Sequence, residues 1–316
     1  MKKWQNRLTS LWLAAALVMI PSGVKSQDPS KGNSRMDEAV MKIRTDLVSL
    51  SVVVTGREGR LIPGLKRDDF EVYENKVRQQ IEYFSDEDQP ATIGIIFDMS
   101  GSMKGRIPQS RAALQYFAES GHPEDEYFLV SFNHRISEPV EMVDSQALLR
   151  RVNMLTPHGD TALYDAIHEA LGRLRQSRHR KRALLIISDG ADNHSRSGMS
   201  ELRRQLREAG IAIYAIGANE PTSSSCARLC HFEAQARLES LAAMTGGNAF
   251  FPHSTESLEN AVSQIATELR RQYSLGYVST QPAQDGAWRQ IKVRVKSDLV
   301  KEKISVRARD GYFAAP

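Results

Sequence analysis

Two cysteines in 316 residues are too few to scaffold a fold through disulfides. Aromatic residues are sparse at 7%, yet 41% of the chain is hydrophobic and 25% charged, a balance that excludes a disordered or fibrous chain. No apolar run reaches the roughly 20 residues of a membrane span. Excess charge of one sign is also missing once the first 26 residues are set aside. They hold Lys2, Lys3, Arg7 and Lys25 and no acid; removing those four from the 42 basic residues leaves 38, matching the 38 acidic ones. The formal charge of +4 therefore gives no ground for a nucleic-acid partner. Enzyme signatures are lacking too: there is no G-x-x-x-x-G-K-[ST] and no G-x-S-x-G. His168-Glu169 lacks the second histidine of H-E-x-x-H because Gly172 stands there.

What is present begins with a basic start and an apolar run from Leu11 to Ile20. Pro21 follows, and Val24 and Ser26 stand at −3 and −1 of a cut before Gln27. This predicts a signal peptide over 1–26, export to the periplasm or the extracellular space, and no transmembrane anchor after cleavage. Residues 27–39 read as a polar linker.

Both ends of the remainder are β-rich. Val48, Leu50, Val52 and Val54 alternate with polar neighbours. Shorter alternating runs carry Phe70 and Val72, then Ile81 and Tyr83, with a bend at Asn75-Lys76. The pattern returns at Leu275 and Tyr277, at Ile291, Val293 and Val295, and at Ile304, Val306 and Ala308. Residues 40–90 and 271–316 are each too short for a dependable core. Their sum suits one immunoglobulin-like β-sandwich split by an inserted domain; two separate hairpin appendages are the other arrangement.

Between them, residues 91–270 alternate short apolar runs with helical periodicity, the pattern of a doubly wound, mostly parallel α/β sheet. Strands are expected at Ile93–Phe97, Tyr127–Phe132, Ala183–Ile187 and Ile211–Gly217. A weaker strand is expected at Ala249–Phe251, and an antiparallel edge near Ile136–Met142. Helical spacing runs from Leu163 to Leu174 and from Leu258 to Leu269. In such sheets ligands bind at the carboxyl ends of the strands.

Three strand-associated loops there carry oxygen ligands: Asp98-Met99-Ser100-Gly101-Ser102-Met103, Gly159-Asp160-Thr161 and Ser188-Asp189-Gly190. Carboxylates and hydroxyls without Cys or His select a hard cation, Mg²⁺ in the first place with Mn²⁺ or Ca²⁺ as alternatives. The competing reading has these polar residues simply capping helices. Asp165 is expected inside a helix and Asp192 in a solvated loop, neither as a ligand.

These residues, in this order and spacing, resemble a von Willebrand factor type A domain over 91–270, a Rossmann-like fold. The resemblance implies a metal-ion-dependent adhesion site, with Ser100, Ser102 and Thr161 ligating through hydroxyls and Asp98 and Asp189 holding the ion directly or through water. It implies a protein partner that presents an acidic side chain. Asp160 departs from the family, which more often has glycine there. The layout of β segment, A-type domain and β segment behind a leader also resembles bacterial exported proteins described only as related to this family. A metal-dependent hydrolase and a metal-independent envelope scaffold are the alternatives.

In an oxidising compartment a Cys226–Cys230 disulfide is expected within an Asn219–Phe232 loop. Free thiols are a second possibility, and a Cys/Cys/His zinc site would lack its fourth ligand. The basic run Arg178–Arg182 lies between a helix end and a buried strand, where cations favour the helix C-terminus.

Overall fold

The computed structural model describes residues 47–142, 145–218, 225–281, 286–296 and 304–314. The leader expected at 1–26 and the linker at 27–39 lie outside the described residues, as does 40–46. Four strands come first: β1 (Leu47–Thr55), β2 (Phe70–Glu74), β3 (Val77–Gln79) and β4 (Ile81–Ser85). Along β1, Val48, Leu50 and Val52 are buried while Ser49 and Ser51 are not, as its alternation dictates. Asn75 and Lys76 take φ of 46° and 70°, the left-handed pair that a two-residue hairpin between β2 and β3 requires.

The chain then alternates strand and helix: β5 (Ala91–Asp98), α1 (Ile107–Glu119), β6 (Glu126–Phe132), β7 (Val140–Met142), α2 (Ser145–Asn153), α3 (Leu163–Leu174), β8 (Lys181–Ser188), α4 (Met199–Ala209), β9 (Ala212–Gly217), α5 (Ser225–Thr245), β10 (Asn248–Phe250) and α6 (Thr255–Arg271). The sheet runs β10-β9-β8-β5-β6-β7. It is parallel except at β7, which pairs antiparallel with β6. All eight residues of β5 are buried, because helices cover both of its faces. On one face Ile93, Ile95 and Phe97 pack against Leu114 and Phe117 of α1, Leu148 of α2 and Val262 and Ile265 of α6. On the other, Ile96 and Ile186 meet Ile167 and Leu171 of α3, Leu202 of α4 and Leu238 of α5. The chain leaves β5 toward β6 on one side and later returns to β8 on the other. This reversal opens a crevice at the carboxyl ends of β5 and β8.

Four more strands follow: β11 (Tyr273–Val278), β12 (Trp288–Val295), β13 (Ser305–Arg307) and β14 (Gly311–Phe313). They interleave with the first four in two antiparallel sheets, β13-β1-β11-β4 and β14-β12-β2-β3. Neither end of the chain builds a sheet alone, since β11 lies between β1 and β4, and β12 pairs with β2. Val48, Leu50, Val52, Phe70, Val72, Tyr273, Leu275, Tyr277 and Ile291 form the core shared by both sheets. Glu74 is fully buried within it and accepts hydrogen bonds from the hydroxyls of Tyr277 (2.8 Å), Ser279 (2.6 Å) and Tyr312 (3.0 Å). Three donors meet the carboxylate's demand in the absence of water.

Among the described residues no helix is long and apolar enough to cross a membrane. Because Leu275 links strands from opposite ends of the chain, Leu275→Ala is expected to cost about 2–5 kcal/mol of unfolding free energy, measured by urea titration.

Candidate metal centre

The crevice is built where β5 and β8 end. The Asp98 side chain, fully buried, closes the end of β5. Its Oδ1 accepts the Ser100 N–H at 2.9 Å, which turns the chain sharply. Its Oδ2 accepts the Ser188 hydroxyl at 2.6 Å, which ties that turn to the end of β8. The Ser188 hydroxyl in turn accepts the Gly190 N–H at 3.0 Å, fixing the loop that carries Asp189. At Gly190 φ is +82°, and a Cβ would stand 2.5 Å from the Ala234 carbonyl oxygen, so only glycine suits this turn.

Backbone hydrogen bonds hold the loops together. Met99 N–H donates to the Phe132 carbonyl (2.7 Å), His158 N–H to Met99 (2.8 Å) and Gly101 N–H to Gly159 (2.8 Å). The last of these pins the Thr161 loop against the Asp98–Met103 turn. Thr161 is itself fastened by its backbone: its N–H donates to Asn193 Oδ1 at 2.9 Å, and its carbonyl accepts the N–H groups of Asn193 and His194, both at 3.0 Å. Its side chain is buried.

The Ser100 and Thr161 side chains do not cap helices. Ser100 flanks the short 3-10 turn Gly101–Met103 without a capping hydrogen bond from its side chain, and Ala162, not Thr161, stands at the N-cap of α3. Instead the Ser100 and Ser102 hydroxyls hydrogen-bond to each other at 3.0 Å. Two adjacent ligands of an octahedral Mg²⁺ at 2.0–2.1 Å stand about 2.9 Å from each other, and in-plane neighbours of a seven-coordinate Ca²⁺ stand at a similar separation. The oxygen donor set fits a hard cation of the Mg²⁺, Mn²⁺ or Ca²⁺ type. Among the described residues no group of three or more His, Cys, Asp or Glu is placed to hold a metal, so a metal site here depends on the hydroxyls.

Burial pushes the Asp98 carboxyl up to about 6; the nearby Asp189 adds to the rise, while hydrogen bonds from Ser188 and Ser100 oppose it. Asp189 Oδ1 accepts the Ala191 N–H at 3.0 Å, and its Oδ2 receives Arg106 Nη1 at 3.1 Å. Asp160, the departure from the family pattern, lies on the exposed rim with one oxygen 3.9 Å from His194 Nδ1. Asp165 sits in the first turn of α3. Burial would raise its pKa, but the N–H groups of Arg196 and Ser197 outweigh that and hold it below the usual range. Asp192, expected in solvent, is instead partly buried, and its Oδ1 accepts the Ser195 hydroxyl and the Tyr164 N–H. Both acids clamp loops and neither joins the cluster.

The expected Asn219–Phe232 loop requires correction, because α5 is helical from Ser225 onward. Cys230 is an exposed free thiol on that helix, and the Cys226 side chain lies outside the described residues. The expected bridge is opposed by the helix itself: residues four apart hold their Cβ atoms about 5–6 Å from each other, and a disulfide needs about 3.5–4.5 Å. Arg182, from the basic run, donates to the Leu174 carbonyl in the last turn of α3 at 3.5 Å. The sequence places Ser188 in a ligand-bearing loop but gives no sign of its tie to Asp98, and it gives none of Arg106, since an arginine before a helix carries no motif.

Residues 92–264 match the family model of the von Willebrand factor type A domain. The match spans more than half of the chain, which belongs to this family. Several solved structures are similar. An aerotolerance-related membrane protein from Bacteroides fragilis is 18% identical, with a TM-score of 0.46, over 56% of this chain and 99% of that one. A von Willebrand factor type A protein from Catenulispora acidiphila is 11% identical, with a TM-score of 0.46, over 83% and 73%. The vWF domain of the type V pili tip protein Mfa5 from Porphyromonas gingivalis is 14% identical, with a TM-score of 0.45, over 56% and 94%. No curated protein matches the chain.

The raised Asp98 pKa gives a signed expectation. A carboxyl that holds its proton more tightly when folded contributes stability that is complete below about pH 4 and is lost as pH rises through about 6. In chelator, the stability of the parent relative to Asp98→Asn should fall by about 3 kcal/mol between pH 4 and pH 7. Urea unfolding at each pH measures it.

Proposed function

We propose that the chain is an exported protein-binding module in which a Mg²⁺-type ion, with Mn²⁺ or Ca²⁺ as alternatives, is held by Ser100, Ser102, Thr161, Asp98 and Asp189. The observation that carries this reading is the pair of serine hydroxyls 3.0 Å apart beside the buried Asp98. Ser100, Ser102 and Thr161 would ligate through their hydroxyls, and Asp98 and Asp189 would do so directly or through water. When bound, the ion supplies an electrophilic position that a partner's carboxylate can occupy, because Mg²⁺ is seldom enclosed wholly by protein ligands.

The residues of this chain set up that capture. Asp98 and Asp189 balance two positive charges, so an incoming carboxylate meets a neutral cluster and no residual negative charge. Ser188 and the Ser100 N–H hold Asp98 in one orientation, which lowers the ordering cost of binding. The paired antiparallel sheets, read as an immunoglobulin-like sandwich, would act as spacer or second contact surface, and the leader at 1–26 would direct export.

Titration calorimetry tests the reading. Mg²⁺ added to chelator-treated protein is expected to bind saturably, and Ser100→Ala/Ser102→Ala should lose at least tenfold in affinity. Binding of equal strength in the double variant would remove the hydroxyls from the site. Affinity should also weaken as pH falls below about 6, where a proton on Asp98 competes with the cation.

A further inference from the structure

Arg106 is a charged neighbour of the cluster that the ligand set leaves out. It stands at the N-cap of α1, its main chain fixed by the N–H bond to the Met103 carbonyl (2.8 Å) and by its own carbonyl, which accepts the Ser110 N–H (2.9 Å). From there the side chain turns inward. Its Nη1 meets Asp189 Oδ2 at 3.1 Å, and the two side chains keep only 12% and 10% of their surface. The contact is poorly made for a structural ion pair. A guanidinium seated on a carboxylate usually offers two parallel N–H bonds, whereas Arg106 Nε is buried with no hydrogen-bond partner. A half-satisfied buried cation is thus held at the oxygen that a divalent ion would need.

We propose that Arg106 is a tethered counter-ion that occupies Asp189 in the metal-free protein and must leave that oxygen for a divalent cation to bind. The inference rests on the metal-site reading above. Its physical basis is charge. Asp98 and Asp189 together balance a divalent ion, but with the guanidinium also in place the cluster carries one positive charge too many at short range in a partly dry crevice. The guanidinium therefore lowers cation affinity by the work of displacing it. In exchange, it keeps two adjacent carboxylates tolerable when no ion is present. The side chain has a way out: it is long and flexible, and Gly101, Ser102, Lys104 and Gly105 around it are all exposed.

Mg²⁺ and Mn²⁺ are titrated calorimetrically into the chelator-treated full chain and into Arg106→Gln and Arg106→Lys, and each protein is melted in chelator and in Mg²⁺. Arg106→Gln is expected to bind Mg²⁺ at least tenfold more tightly than the parent, while Arg106→Lys, which keeps the charge, stays within about threefold of it. In chelator Arg106→Gln should melt below the parent, and its rise in melting temperature on adding Mg²⁺ should be the larger. Equal or weaker Mg²⁺ binding by Arg106→Gln, with the parent binding normally, overturns this inference alone. Binding by neither protein overturns the metal-site reading and this inference with it. Binding by Arg106→Gln when the parent shows none supports both.

Discussion

A buried carboxylate at the end of the central strand organises the molecule. Asp98 is placed by eight consecutive buried residues of β5, and its two oxygens fasten the turn after β5 and the end of β8 to one another. The loops beyond are stacked on that joint. The Gly101–Gly159 bond brings the Thr161 loop to it, and the Ser188–Gly190 bond orients Asp189. Without the carboxylate at Asp98 the turn after β5 and the end of β8 would lose the side-chain tie between them. The tie between the Ser100 turn and the Asp189 loop therefore depends on a group that is itself costly to bury ionised.

The antiparallel sheets are joined to this framework by more than the chain connection. Glu268 of α6 is fully buried and takes Arg307 of β13 as its partner, and Arg307 also donates to the Gly247 carbonyl at 2.8 Å. Arg207 of α4 lies over the Trp288 ring of β12 at 4.3 Å from its centroid and reaches Asp310 at 2.9 Å. The helix that closes the α/β part, α6, passes into β11 with one intervening residue, Gln272. Covalent continuity and a buried ion pair thus act on the same helix, so displacement of α6 would disturb the sheet that holds β1 and β13.

Much of this architecture is written plainly in the sequence. The strands of the parallel sheet are continuous apolar runs because both of their faces are covered, and the helix faces at Leu163–Leu174 and Leu258–Leu269 show because one stripe alone is buried. The β-rich ends were legible through period-two alternation. Their interleaving is a matter of long-range partners, and nothing in residues 47–85 says that β11 lies between β1 and β4. The start of α5 was obscured by Ser223, Ser224 and Ser225, which read as loop, and by a segment with little amphipathic contrast. At the site the motif residues could be named, but not the groups that hold them. Ser188 acts through a single hydroxyl at a strand end, and Arg106 comes from 83 positions before the acid it meets. Such contacts are made by the fold and leave no local pattern.

Three acids among the described residues have no exposed surface, and the molecule treats them differently. Glu74 is surrounded by three hydroxyl donors between two sheets, a complete internal solution. Glu268 receives a guanidinium and the Gln264 amide. Asp98 receives one hydroxyl and one N–H, and instead of a cation its close charged neighbour is a second carboxylate, Asp189, which raises its pKa further. Glu74 and Glu268 serve to join elements, and their charge is answered within the fold. Asp98 stands at the carboxyl end of β5, beside hydroxyls that no helix end uses. Glu74 and Glu268 thus meet hydroxyls or a guanidinium supplied by neighbouring elements, whereas Asp98 has a second acid as its close charged neighbour, so the fold gathers carboxylates at one crevice.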